Sequence, residues 1–347
     1  MDNLAHTLIG AALGRAVGDR QIRHAALIGT VAGNVPDGAE VFTGFFSWTR
    51  ADYLLYHRGI THSLVVAVLE ILVLTLLIGL LGGKRVWRED GPAWGMLTAV
   101  VTVTLLSHLF LDWQGSYGWR PFLPWSGRWY YLDWVAIADP FFWLLPLIAL
   151  AWGAERHWAP LLAAVTVGVA ITCIIVRYVL AGGWVASWVL MLYGALVVAA
   201  AVGWVRYWFG PIGRQRAATL AVLVLAAYTG AQGIVVQFRK AKIRATAQTR
   251  FGADAEWAAL TNIGGPFTWE PIYANRDTVA SDDWLLPRHL DNPLVMRALR
   301  EKPEGRAMAR FARFLTAEAE STTVYLWDAR YARAVRSGWA LVSVRMD

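Results

Sequence analysis

Long apolar runs separated by short polar breaks organise this chain. Such runs fall at roughly 63–82, 93–112, 135–153, 158–180, 185–208 and 216–237. Each is close to the ~20 residues a helix needs to cross a hydrocarbon core. Two shorter runs precede them, at 4–18 and 23–35, each about 20 Å long as helix. That is short for a crossing, so the expectation is a tilted or re-entrant hairpin buried by its neighbours. The first is rich in small residues, which let helices approach closely in lipid. Pro36-Asp37-Gly38 reads as the end of the second run, and 38–61 as a polar-aromatic loop. Trp87, Trp94, Trp113, Trp134, Trp152, Trp158, Trp184 and Trp208 sit near the ends of the long runs, as an aromatic belt does. Pro140 and Pro146 predict a kink in the third long span. Arg177, near the end of the fourth, reads as a residue snorkelling to the interface.

The pattern changes after residue 238. Arg239-Lys240-Ala241-Lys242-Ile243-Arg244 is a basic juxtamembrane group, and 240–260 read as an amphipathic continuation of helix. Gly264 to Tyr273 reads as a turn leading into strand, 293–320 as helix, and Thr322 to Trp327 and Trp339 to Val344 as strands. The predicted fold class is mainly α: a polytopic helical membrane protein with two short N-terminal helices and about six long spans, plus a small C-terminal α+β soluble domain. The expected domains are 1–238 in the membrane and 239–347 outside it. No internal repeat, low-complexity tract or Gly-rich phosphate loop is present.

Composition agrees. Of 347 residues, 57% are hydrophobic and 16% charged, against about 25% charged in soluble domains. The net charge of +7 is spread singly or in short groups between apolar runs, as membrane-flanking residues are, so no nucleic-acid partner is expected. Cys173, the one cysteine, lies inside an apolar run and forms no intrachain disulfide. The N-terminus has no basic n-region, and its apolar stretch holds His6 and Arg15, so no cleavable signal peptide is expected.

Against this background the polar residues near helix ends stand out. If the first two helices form a hairpin and each long run crosses once, His6, Asp37, His57, His62, His108 and Asp112 all reach the same side of the membrane. His108 and Asp112 are i and i+4, so they share a helix face and offer an imidazole and a carboxylate to one metal ion. Mixed nitrogen and oxygen ligands suit zinc, manganese or iron better than calcium. Blander readings compete. A lone interfacial histidine such as His6 is more often structural, and Asp37 after Pro36 suits turn chemistry. His108 and Asp112 can pair with each other, and Thr61 or Ser63 can simply cap a helix. Four separate segments converging on one side favour the joint reading. His24, His157 and His289 fall outside it and read as interfacial or surface residues. Asp2, Asp133 and Asp139 lie near the same face, with Asp139-Pro140 read as a helix start rather than an orienting carboxylate.

These residues also carry a resemblance. The ordered set is Met1-Asp2 with His6, the Pro36-Asp37 turn, His57-Arg58-Gly59-Ile60-Thr61-His62-Ser63, and Ser107-His108 with Asp112. Gly115-Ser116-Tyr117-Gly118, Arg120-Pro121-Phe122 and Asp139-Pro140 follow. Over residues 1 to about 145, this set resembles the bacterial and archaeal family of membrane-bound metal-dependent hydrolases; the region around Phe267-Thr268-Trp269 resembles the C-terminal part of some members. The block from His57 to Ser63 is its most specific part. The chain departs from the family at Asp37-Gly38-Ala39, where Asp-x-Asp is expected, unless Glu40 supplies the second carboxylate. The ligand order is also similar to that of zinc-dependent phospholipase C, which implies phosphoester hydrolysis without fixing a substrate.

The resemblance implies an inner-membrane hydrolase whose cofactor is a divalent metal, zinc first, with manganese and iron as alternatives. Asp37, His62, His108 and Asp112 would hold one ion, and His6 and His57 would complete the shell or hold a second. Asp37 would orient the attacking water, and Arg58 and Arg120 would clamp the phosphate. The expected substrate is a membrane lipid or lipid-linked phosphoester. Two other classes stay open: a metal-binding or transport protein without hydrolysis, and a non-enzymatic protein that binds a partner through its C-terminal domain. Loops opposite the cluster hold Arg15, Arg20, Arg23, Lys84, Arg85, Arg88, Arg156, Arg206, Arg214 and Arg216. The positive-inside rule puts these in the cytoplasm, and the cluster and C-terminal domain outside; the group from Arg239 to Arg244 runs counter to this.

Overall fold

In the first two helices, α1 (Asn3–Gly18) and α2 (Ala25–Ala32), small residues dictate the packing. A Cβ on Gly14 would collide with the Ala25 carbonyl, and one on Gly29 with the Gly10 carbonyl, so the antiparallel pair meets backbone to backbone. The computed structural model that contains them describes residues 1–44, 49–88, 91–152, 158–206, 213–332 and 334–346. Arg156, His157 and Trp208 lie outside the described residues. Asp2 caps α1 by accepting the Ala5 N–H at 3.0 Å.

The segment expected to be loop is partly helical. It holds α3 (Val35–Gly44), α4 (Arg50–Tyr56) and a single 3-10 turn, Ile60–His62. Pro36 therefore opens a helix instead of closing one. In a first turn its missing N–H costs nothing and its fixed φ suits the helix. Thr49 and Asp52 form a reciprocal capping box on α4.

The long helices follow: α5 (Leu64–Gly82), α6 (Trp94–Trp113), α7 (Pro140–Trp152), α8 (Trp158–Leu180), α9 (Ser187–Val205) and α10 (Arg214–Phe251). Five of them, α5, α6, α8, α9 and α10, are long and apolar enough to cross a membrane. Their outward faces are apolar: Val68, Leu69, Leu72, Val73, Leu76 and Leu80 stand exposed along α5. Continuous patches of that kind suit lipid rather than water. The third run is shorter than expected, with 13 helical residues. Asp139 accepts the Phe141 N–H at 2.9 Å and starts α7 at Pro140. Val135, although fully buried, belongs to an irregular stretch hydrogen-bonded to Gln114 O. Helix α1 is central and packs against α2, α6, α7 and α10.

Helix α10 passes the expected boundary at 238 unbroken and ends at Phe251, capped by Gly252. Residues 256–260, expected as helix, belong instead to strand β1 (Glu256–Thr261). It leads a four-stranded antiparallel sheet with β2 (Trp269–Ala274), β3 (Thr278–Ala280) and β4 (Leu285–Pro287), in that order. The stretch 293–320 also divides. It forms α11 (Pro293–Glu301), α12 (Pro303–Phe311) and β5 (Leu315–Glu320), because Pro303 breaks one helix and starts the next. Strand β5 pairs with β6 (Thr323–Asp328), and β6 with β7 (Val342–Arg345). The α+β domain packs back onto the 114–139 loop. Arg330 Nη1 donates to Ser116 O at 2.8 Å, and Arg313 Nη1 meets Asp133 Oδ2 at 3.1 Å. Leu54 of α4 and Tyr117 join the same apolar cluster as Val295, Phe311 and Leu326.

Candidate metal centre

Three segments deliver one compact group of four residues. Asp37 comes from the first turn of α3, His62 from the 3-10 turn ahead of α5, and His108 and Asp112 from the end of α6. One ligand atom of each lies within 4.8 Å of the other three. His62 Nε2 is 3.3 Å from Asp37 Oδ1 and 3.3 Å from Asp112 Oδ2. His108 Nε2 is 3.5 Å from Asp112 Oδ2 and 3.8 Å from Asp37 Oδ1. Such spacings match donors about 2.0–2.2 Å from a shared ion in roughly tetrahedral array. His62, His108 and Asp112 are buried, whereas the Asp37 side chain keeps 13% of its exposure and marks the open side.

The two imidazoles carry the argument. Their Nε2 atoms face each other at 3.0 Å. His108 Nδ1 lies 2.8 Å from Gly33 O, which can only accept, so Nδ1 holds the proton and Nε2 a lone pair. The Thr61 hydroxyl donates to Glu40 Oε1 at 3.4 Å, which leaves its oxygen to accept from His62 Nδ1 at 3.0 Å, with Glu40 Oε1 itself 3.1 Å from that nitrogen. Two lone pairs thus converge on one point beside two carboxylates. Only a proton or a cation between them relieves the repulsion. A histidine whose second nitrogen donates to a carboxylate or a backbone carbonyl is the usual metal-ligand arrangement.

Asp112 is shared between two tasks. Its Oδ2 faces the imidazoles, while Oδ1 lies 2.7 Å from Arg58 Nη2 and 2.6 Å from the Met1 nitrogen. Arg58 Nη1 also donates to Asp112 O and Gly118 O at 3.0 and 3.3 Å, and its guanidinium lies over the Tyr117 ring. Arg58 therefore serves Asp112 here, instead of standing open to a phosphate. Arg120 Nη2 donates to Leu55 O at 2.6 Å, and its guanidinium stacks on Trp129.

His6 and His57 occupy different places around the four. The His6 ring stacks on His108 with centroids 3.8 Å apart, and its Nε2 lies 3.3 Å from Asp112 Oδ1. Among the described residues neither His6 nitrogen makes a hydrogen bond, although the ring is buried, so it is a spare donor at the rim of the cluster. His57 is outside the group; its Nδ1 meets Glu40 Oε2 at 2.7 Å. Glu40 thus links both histidines of the His57–His62 block. It lies on the Nδ1 side of His62 and does not replace the missing carboxylate.

Charge is balanced locally. Burial works against the ionised Asp37, but the His62 hydrogen bond and the neighbouring His108 outweigh it and hold its carboxyl below the usual range. Burial likewise opposes Glu40, while bonds to His57 and His62 pull it down to about 2. Burial lowers His62, but its contacts with Asp112, Asp37 and Glu40 raise it well above the ordinary histidine value, so without a cation it is a proton on His62 Nε2 that fills the gap to His108 Nε2.

The remaining candidates have structural partners. Asp139 caps α7 and accepts the Tyr228 hydroxyl at 2.7 Å, Asp133 pairs with Arg313, and Asp2 accepts from Trp143 Nε1 at 3.0 Å. His24 and His289 are exposed. Neither residue type nor spacing pointed to Gly33 O as the partner of His108, or to Trp119, whose Nε1 donates to His62 O at 2.6 Å. It did carry a sign of Glu70, a lone carboxylate inside the apolar run of α5, whose Oε2 is buried without a hydrogen bond.

A family model described as YdjM inner membrane protein matches residues 1–185, which include every residue of the cluster. The Bacillus subtilis (strain 168) protein "Uncharacterized protein YfhP" is 28% identical over 162 residues, covering 44% of this chain and 46% of that relative. The match thus spans about half the length of the curated relative. No solved structure matches.

Proposed function

Since the chain belongs to the YdjM inner membrane protein family, we propose that it is a membrane-embedded, metal-dependent hydrolase acting on a phosphoester at the membrane face. The observation that carries this reading is the pair of facing Nε2 atoms 3.0 Å apart, each with its Nδ1 already committed. Asp37, His62, His108 and Asp112 would hold the ion, with the His6 ring stacked beside them at the rim. Two nitrogens and two oxygens suit zinc, and manganese or iron next.

When bound, a divalent ion supplies a more acidic water and polarises a phosphoryl oxygen. The chain's own residues do the rest. Asp37, on the open side, would orient the attacking water by accepting a hydrogen bond from it. Glu40 holds the His62 ring, and Arg58 holds Asp112. Arg120 lies on the same side and is the guanidinium left to meet substrate phosphate once released from Leu55 O. A lipid or lipid-linked substrate suits a centre at the ends of α5 and α6, since its tails stay in the bilayer while its headgroup reaches the ion. The arginines and lysine at the opposite helix ends support an outward-facing centre and C-terminal domain. Cysteine labelling of the 181–184 loop and the C-terminus tests that orientation.

Metal content of the detergent-purified protein, by elemental mass spectrometry, tests the reading. About one equivalent of zinc or manganese is expected in wild type and none in His62→Ala/His108→Ala, with phosphoester hydrolysis lost in parallel. Wild type that neither retains nor takes up metal would sink it.

A further inference from the structure

At the other end of the bundle from the metal centre lies a second concentration of charge. A cavity of about 820 Å³ opens among Arg15, Asp19, Arg20, Arg23, Arg88 and Arg214, with Leu27 at its edge. Among the described residues, five guanidiniums surround one carboxylate there, and one of them, Arg15, also donates to Leu150 O at 3.1 Å. Asp19 is already engaged, with Oδ2 at 2.6 Å from Arg214 Nε and Oδ1 at 3.7 Å from Arg88 Nη2. Arg88 Nε is buried and makes no hydrogen bond among the described residues.

The chain fixes this arrangement through its backbone. The α1–α2 connection pairs with the segment before α6: Ile22 bridges Trp87, Arg23 N donates to Val86 O at 2.7 Å, and Arg88 N to Gln21 O at 3.1 Å. This register sets Arg23 opposite Val86 and Arg88 opposite Gln21, and both arginines line the cavity. Gln215 Nε2 donates to Ala16 O at 2.9 Å and ties the start of α10 to the same rim. The cavity sits where three candidate spans end, at the finish of α5 and the starts of α6 and α10. That is the headgroup level of a bilayer. The exposed Leu27 and Val31 continue from it along α2 as an apolar strip.

We infer that this cavity binds a multiply charged phosphate group. Guanidiniums match phosphate oxygens through paired hydrogen bonds. Basic pockets between membrane helices suit anionic headgroups, and each arginine contributes about fivefold in affinity. The same chemistry comes from two sources: the headgroup of an anionic phospholipid, and a soluble phosphate ester. The inference stands apart from the metal centre and uses none of its residues.

The test uses the full chain in a neutral detergent. Thermal-shift titrations are run with cardiolipin, phosphatidylcholine, glycerol 1-phosphate and inorganic phosphate, on wild type and on Arg20→Gln/Arg23→Gln. Both arginines are exposed, so the variant is expected to melt within a few degrees of wild type without ligand. Arg88→Gln serves as a second variant, and His62→Ala is expected to titrate as wild type. A midpoint for cardiolipin that rises roughly 30-fold in the double variant, with no response to phosphatidylcholine, supports the inference with a lipid source. The same loss of response to glycerol 1-phosphate or inorganic phosphate supports it with a soluble source. Equal responses to cardiolipin and phosphatidylcholine, or an anion response unchanged in both arginine variants, would overturn it.

Discussion

Glu40 Oε1 lies 3.1 Å from Nδ1 of His62, and this contact decides which nitrogen of the ring faces the cluster. Glu40→Gln keeps the shape but removes the charge that holds the proton on Nδ1. Removing such an orienting partner typically weakens metal binding 10–100-fold. Chelator competition on the purified protein is expected to show that loss for Glu40→Gln and no measurable binding for His62→Ala. Equal affinities for wild type and Glu40→Gln would contradict the arrangement.

The Arg58–Asp112 pair sets a second expectation. Both side chains are almost fully buried, at 3% and 2% exposure. Breaking such a pair from one side leaves an uncompensated charge and costs roughly 3–5 kcal/mol. Arg58→Met should therefore lower the melting temperature by several degrees, more in metal-free than in metal-loaded protein, because a bound cation answers part of the Asp112 charge. Arg58→Met/Asp112→Asn should recover part of the loss. Melting curves of the three proteins, with and without zinc, check both statements.

Asp139 gives the pH dependence. Burial pushes its carboxyl up to about 6, against hydrogen bonds from Tyr228 and the start of α7 that pull it down. Between about 4 and 6 the folded state then binds more protons than the unfolded one, so stability falls as pH rises through that window and levels off above it. The drop attributable to this group is roughly 3 kcal/mol. Asp139→Asn should remove it, leaving a flatter profile of melting temperature between pH 4 and 7. A wild-type slope that persists in the variant would assign the effect elsewhere.

Gly29 supplies a prediction about packing. With the Gly10 carbonyl against its Cα, an added methyl forces α1 and α2 apart. Overpacking of this kind costs about 1–3 kcal/mol. It also moves Gly33, four residues on, whose carbonyl holds His108. Gly29→Ala should thus lower both melting temperature and metal stoichiometry, whereas Gly38→Ala, with open space around its Cα, should change neither by this route.

The long spans and the converging ligands were legible because both are written in residue type and spacing. Apolar runs of bilayer length have few alternatives as helices. Counting crossings then places His62, His108 and Asp112 at one level without any side-chain geometry. What the sequence hid was decided by position within a turn. Pro36 reads as a terminator, yet one residue into α3 it is compatible with helix and carries Asp37 and Glu40 one turn apart. The apolar Val135 reads as membrane, yet it fills an irregular buried stretch because Asp139 starts α7 later. Gly33 could not be singled out, since its contribution is a backbone carbonyl. Arg58 looked like a substrate clamp by residue type alone, and its partner Asp112 is 54 positions away.

Helix α10 has a consequence of its own. Its 38 residues make a rod about 57 Å long at 1.5 Å per residue. A bilayer core takes about 30 Å of that, so one continuous rod both anchors in lipid and carries the sheets. Height and azimuth of the C-terminal domain are then locked together. Each residue added to the rod lifts that domain by about 1.5 Å and swings it by about 100°. Arg330 would leave Ser116, and Arg313 would leave Asp133, at the first added residue. The rod therefore tolerates substitution along its length far better than any change in its count.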